Sequence, residues 1–176
     1  MRVIAGSHGG RRLIAPRGRQ TRPTGDRVRE ALFSILGDVA GLRVLDLFAG
    51  SGALAIEALS RGAATATLVD SSAAATRAIR RNLEGLGLEA EIQQRPAVAF
   101  LRTARVARRQ YDLIFVDPPY RQASGLATEL STALVPVLAA SGRVVAESDR
   151  RDPLELEIPL LDERGYGDTT IRIYGP

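Results

Sequence analysis

Two kinds of segment alternate along the chain after residue 41, and this alternation constrains the fold more than any other feature. Short runs rich in β-branched and other apolar residues predict strands, and longer stretches with helical periodicity predict helices between them. The predicted strands are residues 43–47, 66–69, 90–94, 113–116 and 143–146. The predicted helices are residues 52–60, 72–86, 98–108 and 124–138. Strands and helices in this order form right-handed parallel βαβ units, so we expect an α/β protein built on a largely parallel sheet.

Further elements are predicted on both sides of this core. Residues 26–36 carry their apolar side chains on one helical face and predict an amphipathic helix. Before it, residues 2–5 and 11–15 flank a Gly-rich turn and predict a β-hairpin. At the other end, residues 154–158 and 169–174 alternate apolar and polar side chains on either side of Gly165 and Gly167. These last two runs predict an antiparallel hairpin that closes one edge of the sheet.

Positive charge is concentrated at the start of the chain. Residues 1–29 hold eight arginines and one acidic residue, a net charge of +7, whereas the other residues have a net charge of −3. Because a guanidinium group matches two phosphate oxygens at once, a dense group of arginines favours phosphate contacts. A solvated arm without a ligand is the alternative. The exposed arginines of two predicted helices are interpreted as solvated faces; they are Arg77, Arg80 and Arg81, and Arg102, Arg105, Arg108 and Arg109.

The composition excludes several kinds of site. The chain has no cysteine, and its one histidine, His8, lies in a predicted turn, so disulfides, thiolate metal sites and His-rich metal sites are excluded. No stretch approaches the roughly 18 apolar residues of a membrane span, and the first residues lack the apolar core of a signal peptide. We therefore expect a cytoplasmic monomer with no metal ion and no membrane partner.

The strongest local signal is the segment Val-Leu-Asp-Leu-Phe-Ala-Gly-Ser-Gly at residues 44–52, where the first predicted core strand ends. Two glycines before a helix allow a tight turn and the close approach of a ligand to the backbone. Position 55 is Ala rather than the third glycine of the dinucleotide fingerprint, and the chain has no lysine to complete a phosphate loop. Asp46 is expected to orient this glycine loop through backbone N–H groups.

Asp70 ends the second predicted strand, where nucleoside-binding α/β proteins place an acidic residue. A carboxylate there can accept hydrogen bonds from both ribose hydroxyl groups. The alternative is that Asp70 stabilises the N-terminus of the following helix, ahead of Ser71.

The fourth predicted strand ends at Asp117-Pro118-Pro119-Tyr120. A rigid turn with an aromatic plug is the simpler interpretation, since two prolines fix the backbone. The chemical interpretation is that this tetrapeptide holds an amine attached to a nucleic-acid base. Such an amine is a poor nucleophile, and the Asp117 carboxylate and the Pro118 carbonyl offer two acceptors that would direct its lone pair. Tyr120 offers a flat face on which a flipped base can stack.

These motifs carry a resemblance to a known family. The loop and the tetrapeptide resemble those of the seven-stranded, Rossmann-like methyltransferases that use S-adenosylmethionine to methylate amines. Gly6, the run Gly-Arg-Arg-Leu at residues 10–13 and the run Arg-Pro-Thr-Gly-Asp-Arg-Val-Arg-Glu-Ala-Leu-Phe at residues 22–33 look like the bacterial enzymes that methylate the N2 amine of one guanine in small-subunit (16S) ribosomal RNA. The resemblance covers nearly the whole chain.

The resemblance implies a set of functional residues. It implies a basic N-terminal hairpin over residues 1–20 that contacts RNA and a methyltransferase domain over residues 21–176. The implied catalytic residues are Asp117, Pro118, Pro119 and Tyr120. The implied contacts to S-adenosylmethionine are Thr24, Asp46, Phe48, Ala49, Gly50, Ser51, Gly52, Asp70, Ser71, Ala97 and Asp117. The implied contacts to ribosomal RNA, or to an assembled small-subunit particle, are Arg2, Arg11, Arg12, Arg17, Arg19 and Arg22.

The chain departs from the family at one position, and three alternative functions are compatible with the sequence. Where members carry a small or polar residue before Ala97 to read the adenine amine, this chain has Pro96, which has no side-chain acceptor and no N–H. Methylation of DNA adenine or of a protein glutamine uses the same tetrapeptide, and a catalytically idle RNA-binding module keeps the same fold. Glu147 either supports the structure or lines the site.

Overall fold

A computed structural model describes residues 1–16, 25–118 and 123–176. The helices are α1 (Asp26–Leu36), α2 (Ala53–Ser60), α3 (Ala73–Leu86), α4 (Ala97–Val106) and α5 (Ala123–Leu134), and a short 3-10 helix follows at Val135–Val137. The strands are β1 (Arg43–Leu47), β2 (Thr65–Asp70), β3 (Glu91–Gln94), β4 (Tyr111–Val116), β5 (Leu138–Asp149), β6 (Leu160–Tyr166) and β7 (Thr169–Tyr174).

The described strands form one seven-stranded sheet in the order β3-β2-β1-β4-β5-β7-β6. Strands β1 to β5 are parallel, and β7 lies antiparallel between β5 and β6. The strand order reverses between β1 and β4, which lie side by side with Leu47 opposite Val116. The predicted α/β sheet is confirmed, and ligands of such sheets bind at this reversal.

Two apolar layers cover the two faces of the sheet. Because successive strand side chains point to opposite faces, Val44 and Leu68 face one layer while Leu45 and Val69 face the other. The first layer is built from α1, α2, α3 and the N-terminal residues, and the second from α4 and α5. The central strands are buried on both faces, which explains their nearly continuous apolar runs.

The prediction of a strand at residues 154–158 is wrong. Leu154, Leu156 and Ile158 are buried in the second layer, but two of the N–H groups in this segment bind side chains instead of a neighbouring strand. The N–H of Leu156 donates to the Tyr174 hydroxyl, and that of Glu157 donates to the Ser131 hydroxyl. The edge strand is β6 instead, and its mostly exposed residues give it no apolar alternation.

The boundary between the last helix and the last parallel strand also differs from the prediction. A helix was expected to continue to Leu138, but α5 ends at Leu134 and β5 already begins at Leu138. Pro136 has no N–H and its ring clashes with the preceding helical turn, so the chain closes with a 3-10 turn. Strand β5 is therefore longer than the predicted run 143–146.

Residues 1–16 fold back on themselves with less regular pairing than a hairpin of two strands. A single antiparallel bridge joins Arg2 and Arg12, and the N–H of Gly10 donates to the carbonyl of Val3. Val3 and Leu13 are buried in the same layer as α1, α2 and α3. This N-terminal segment, residues 1–16, is therefore part of the core.

Candidate active site

The carboxyl ends of four neighbouring strands bring the predicted site residues together. Leu47 at the end of β1 lies between Val69 of β2 and Val116 of β4, and Asp70 lies opposite Gln94 of β3. The chain leaves these strands through the glycine loop, Asp70 and Ser71, Pro96 and Ala97, and Asp117 and Pro118. Residues far apart in sequence thus line one edge of the sheet, at the reversal of strand order.

The two glycines of the loop have different surroundings. Gly52 has φ +79, and a Cβ on it would lie 2.8 Å from Cδ2 of Leu68. A side chain at position 52 would therefore displace Leu68, in addition to the strain of a positive φ. A Cβ on Gly50, with φ +58, would meet only the Phe48 carbonyl oxygen, at 3.9 Å. Gly50 thus leaves its side of the loop open to a ligand, and Phe48 itself adopts φ +63.

Asp70 is buried and holds the glycine loop against the start of α3. Its Oδ2 accepts the N–H of Gly50 at 2.9 Å, and its Oδ1 accepts the N–H of Ser72 at 2.8 Å. The Ser72 hydroxyl in turn accepts the N–H of Ala75 and caps α3. The alternative role of Asp70 at this helix start is thus seen, and a carboxylate keeps acceptor capacity beyond two bonds. Ribose binding by Asp70 stays a prediction.

Asp46 lies beneath the loop and is a buried carboxyl group with a raised pKa. Burial raises the pKa of Asp46 to about 7, which the N–H of Ala55 opposes and the charge of Asp70 reinforces. The Ala55 N–H donates to Oδ2 of Asp46 at 3.2 Å, inside α2. Asp46 therefore bonds to the helix that follows the glycine loop, and its expected bonds to the loop itself stay a prediction.

Asp117 and Pro118 follow β4 directly, beside the glycine loop that follows β1. Since neighbouring strands lie about 4.8 Å apart, the paired Leu47 and Val116 bring Phe48 and Asp117 side by side. Asp117 is half-buried and Pro118 is buried. Pro119 and Tyr120 lie outside the described residues, as do Thr24, Arg17, Arg19 and Arg22.

The residues expected to read the adenine lie at the start of α4. Pro96 takes the N-cap position of this helix and forms no side-chain hydrogen bond to its first turn. Ala97 is buried directly after it. The role of Ala97 stays a prediction that depends on its backbone, because Pro96 carries no donor.

Several residues that hold the site together were missed in the sequence. Asn82 on α3 donates to the Ser51 carbonyl at 2.9 Å and to the Ile14 carbonyl at 3.0 Å, and it accepts the N–H of Ile14. It joins the glycine loop, α3 and the N-terminal segment in one contact. A buried asparagine in a helix gives a sequence signal too weak to specify these partners.

Glu57 on α2 binds the other end of the N-terminal segment. Its buried carboxylate accepts the N–H groups of Ile4 and Ala5 at 2.6 and 3.0 Å, and it pairs with Arg61. Gly6 approaches α2 so closely that a Cβ on it would lie 1.8 Å from the Ser60 carbonyl oxygen. This contact gives a physical reason for a glycine at position 6.

Arg29 on α1 is a fully buried cation at the junction of α1 and the N-terminal segment. Its Nη2 donates to the Arg2 carbonyl and to Oδ1 of Asp26. In the described part of the chain, its Nε and Nη1 have no hydrogen-bond partner. Burial lowers the pKa of Arg29, and the negative charges of Asp26, Glu57 and Glu147 oppose this effect. Glu147 is itself buried within β5, opposite Ile171, and thus faces α1.

A known family shares this sequence over nearly its whole length. The family described as Conserved hypothetical protein 95 matches residues 1–175. The protein YlbH of Bacillus subtilis is 39% identical over 184 residues, which cover 99% of this chain and 98% of YlbH.

The chain belongs to this family, the RsmD-type methyltransferases that depend on S-adenosylmethionine.

Two further comparisons support the family and the fold. The Escherichia coli protein named Ribosomal RNA small subunit methyltransferase D is 42% identical over 124 residues, which cover 69% of this chain and 61% of that protein. The solved structure titled methyltransferase yhhF, also from Escherichia coli, superposes with a TM-score of 0.83 at 36% identity and covers 99% of this chain and 96% of its own. The seven-stranded sheet is therefore that of this methyltransferase family.

The structure describes three of the basic residues that the resemblance assigns to RNA contacts. Arg2 pairs with Asp26 at 3.3 Å, and Arg11 donates to the Gly85 carbonyl at 3.1 Å. Arg12 is exposed. The His8 ring is half-buried and bonds the Leu86 carbonyl through Nε2.

The described residues hold neither a membrane-spanning helix nor a cluster of metal ligands. No helix there is long and apolar enough to cross a membrane. No group of three or more His, Asp or Glu side chains in those ranges is arranged to hold a metal ion.

Proposed function

We propose that this protein methylates the exocyclic N2 amine of a guanine in small-subunit ribosomal RNA. The observation that carries the proposal is the position of Asp117-Pro118 at the end of β4, beside the glycine loop at the end of β1. This position brings the two acceptors for the amine and the loop for the cofactor to the same edge of the sheet. The name of the Escherichia coli relative supports a small-subunit ribosomal RNA substrate.

The glycine loop fits a cofactor held mainly by backbone contacts, because the side of Gly50 is open. In this proposal the loop holds the methionine part of S-adenosylmethionine, Asp70 and Ser71 hold the ribose, and the backbone of Ala97 reads the adenine. The loop residues involved are Phe48, Ala49, Gly50, Ser51 and Gly52, with Asp46 beneath them and Thr24 over the opening. When bound, the cofactor supplies an electrophilic methyl group on a positively charged sulfur.

Asp117 and Pro118 prepare the amine for attack. The Asp117 carboxylate and the Pro118 carbonyl each accept one N–H of the guanine amine, which turns the nitrogen lone pair out of conjugation and towards the cofactor. The attacking nitrogen then releases one proton, which the Asp117 carboxylate accepts and passes to solvent. Pro119 keeps the acceptors aimed, and Tyr120 stacks on the flipped base.

The basic N-terminal segment supplies affinity for the RNA backbone. Arg2 and Arg12 are directly opposite each other in the antiparallel bridge, so their guanidinium groups lie on the same part of the surface. Arg2 also pairs with Asp26, whereas Arg12 is exposed and can contact a phosphate directly. The proposed phosphate-binding residues are Arg2, Arg11, Arg12, Arg17, Arg19 and Arg22.

Methyl transfer from labelled S-adenosylmethionine tests the proposal. The substrates are small-subunit particles from cells that lack the endogenous activity, with naked ribosomal RNA, duplex DNA and a release-factor protein as controls. We expect the label in N2-methylguanosine. Label in DNA adenine or protein glutamine instead would contradict the substrate but keep the amine chemistry. Cofactor binding without any transfer would favour an idle RNA-binding module.

A matched pair of variants at the two ends of β4 tests the role of Asp117. Asp117→Ala should lower kcat by at least about 100-fold, or ~2.7 kcal/mol, because the amine loses its main acceptor. Asp112→Ala makes the same chemical change at the other end of the strand, where Asp112 pairs with Arg43. We expect that control to keep nearly full kcat. A loss below tenfold in Asp117→Ala would contradict its proposed role.

A further inference from the structure

The exposed arginines of α3 form a line that continues into the N-terminal segment. Arg77 and Arg81 are four residues apart, so they lie on one face of the helix. Their Cβ atoms are about 5–6 Å apart at this spacing. The next position on this line is Gly85, whose carbonyl oxygen accepts Nη2 of Arg11 at 3.1 Å. Arg77, Arg81 and Arg11 therefore form a row of three exposed guanidinium groups, the α3 arginine row.

The N-terminal segment is fixed along α3 on both sides of Arg11. Before it, the His8 ring bonds the Leu86 carbonyl at 3.1 Å. After it, the Asn82 side chain bonds both the N–H and the carbonyl of Ile14. Because the backbone that carries Arg11 is already ordered, this side chain loses less conformational entropy on binding a ligand than one on a free arm.

The row is directed at the candidate active site. Ala73 is the position before Arg77 on the same line, and it is the first residue of α3. Ser72 precedes it, and the N–H of Ser72 bonds the Asp70 carboxylate beside the glycine loop. A ligand that follows the row towards the start of α3 therefore reaches the edge of the sheet where Asp70 and the loop lie.

The charges of the row are not balanced within the described residues. Like charges four residues apart destabilise a helix slightly, and none of the three guanidinium groups has an acidic partner within ion-pair distance there. Glu84 follows Arg81 by three residues without forming such a pair. The arrangement is unfavourable for the isolated protein and favourable in the presence of bound anions.

We propose that the α3 arginine row binds successive phosphates of the RNA substrate and sets the direction in which the strand runs from the active site. A nucleic-acid strand presents anions at regular intervals, which suits cations spaced by one helical turn, whereas acidic side chains of a protein have no fixed interval. This inference rests on the proposed function. It assigns α3 a role that the sequence alone suggested only as a solvated face.

A charge-matched pair of double variants tests the row. Arg77→Gln with Arg81→Gln removes two charges from the row and changes the net charge from +4 to +2. Arg105→Gln with Arg108→Gln makes the same change at the end of α4, on the other face of the sheet. The probe is deproteinised small-subunit ribosomal RNA, and its dissociation constant is measured at several salt concentrations.

The row variant should bind this RNA about tenfold more weakly at physiological salt, while the control stays within about twofold of the wild type. Loss of two phosphate contacts should also reduce the slope of log affinity against log salt by roughly 1.4–1.8. The kcat of the row variant at saturating substrate and its affinity for S-adenosylmethionine should equal those of the wild type. Equal melting temperatures establish that both variants are folded.

Equal RNA binding by the row variant and the control would overturn the proposal. Unchanged binding of deproteinised RNA, together with lost methylation of small-subunit particles, would overturn it too, because the row would then contact a protein. Methylation by the wild type is a separate readout. Row-dependent RNA binding without methylation would overturn the proposed function and leave the row standing.

Discussion

The two glycines of the loop show how one residue type serves two purposes at neighbouring positions. A methyl group on Gly52 would lie 2.8 Å from Leu68 and 3.3 Å from Ile79, at a backbone φ of +79. We expect Gly52→Ala to lower the free energy of unfolding by about 2–4 kcal/mol. Gly50→Ala meets open space at φ +58, so about 1–2 kcal/mol is expected. Urea unfolding measures both changes.

The affinity for S-adenosylmethionine should distinguish the two glycine variants in a different way from their stability. Gly50→Ala places a methyl group on the open side of the loop, so it should weaken S-adenosylmethionine binding more than its small loss of stability implies. Titration calorimetry with the folded variants provides the comparison. If Gly50→Ala bound the cofactor as the wild type does, Gly50 would not be the position of close approach.

Asp46 makes the stability of the protein depend on pH in a characteristic direction. Its pKa is about 7 in the folded protein, mainly through burial, and about 3.9 for an aspartate in an unfolded chain. Between these values the folded state binds the extra proton, so the contribution of Asp46 to stability falls as the pH rises from about 4 to 7. Asp46→Asn keeps an acceptor for Ala55 and cannot titrate.

The free energy of unfolding of wild type and Asp46→Asn should therefore diverge with pH. We expect the wild type to lose stability relative to the variant between about pH 5 and pH 7.5. Parallel curves over that range would contradict a raised pKa. Other carboxyl groups also contribute to the pH dependence, among them Glu91 and Asp112, whose pKa values are lowered by Arg109 and Arg43. Their contributions are the same in both proteins and cancel when one unfolding free energy is subtracted from the other.

At the scale of elements, the attachment of the N-terminal segment to α2 depends on one buried carboxylate. Glu57→Ala leaves the N–H groups of Ile4 and Ala5 without their acceptor, which should cost about 3 kcal/mol of unfolding free energy. The segment should then open more often. Faster amide exchange at Ile4 and Ala5 and faster tryptic cleavage at Arg11 would report this opening.

An exposed glutamate provides the control for that experiment. Glu84→Ala on α3 removes the same side chain from the surface, where substitutions change stability by less than about 0.5 kcal/mol. Its exchange and cleavage rates should match the wild type. Equal rates in Glu57→Ala and Glu84→Ala would show that Glu57 does not hold the segment.

The last elements of the chain show why alternation alone misplaces a strand. Residues 154–158 alternate buried and exposed side chains, yet their backbone bonds to Tyr174 and Ser131 side chains. The true edge strand, β6, has almost no buried side chain and pairs through its backbone with β7. An edge strand forms because a neighbouring strand accepts its hydrogen bonds, and the residues of the edge strand alone do not predict that neighbour.

At the scale of the whole molecule, the basic N-terminal segment is also a part of the core. Deletion of residues 2–16 removes Val3 and Leu13 and strips Glu57 and Asn82 of their partners. We expect a loss of more than about 5 kcal/mol, which approaches the full stability of a typical domain. Thermal melting and cofactor binding of the shortened protein measure this loss.

A full-length variant separates packing from charge in that experiment. Arg11→Gln with Arg12→Gln keeps the buried contacts of the segment and should melt within a few degrees of the wild type. A shortened protein that melted like the wild type and bound S-adenosylmethionine would show that the segment is a removable arm. The prediction of a separate basic hairpin would then hold.

The sequence by itself determined the parallel sheet and the positions of the glycine loop, Asp70 and Asp117 at the ends of its strands, because these depend on local periodicity and on residues adjacent in the chain. Only the tertiary structure decided that Glu57, Asn82 and Arg29 bind the N-terminal segment, and that Arg11 extends the arginines of α3. Those contacts join residues 27 to 74 positions apart. Their partners are selected by the packing of whole elements, and no local pattern in the sequence records that choice.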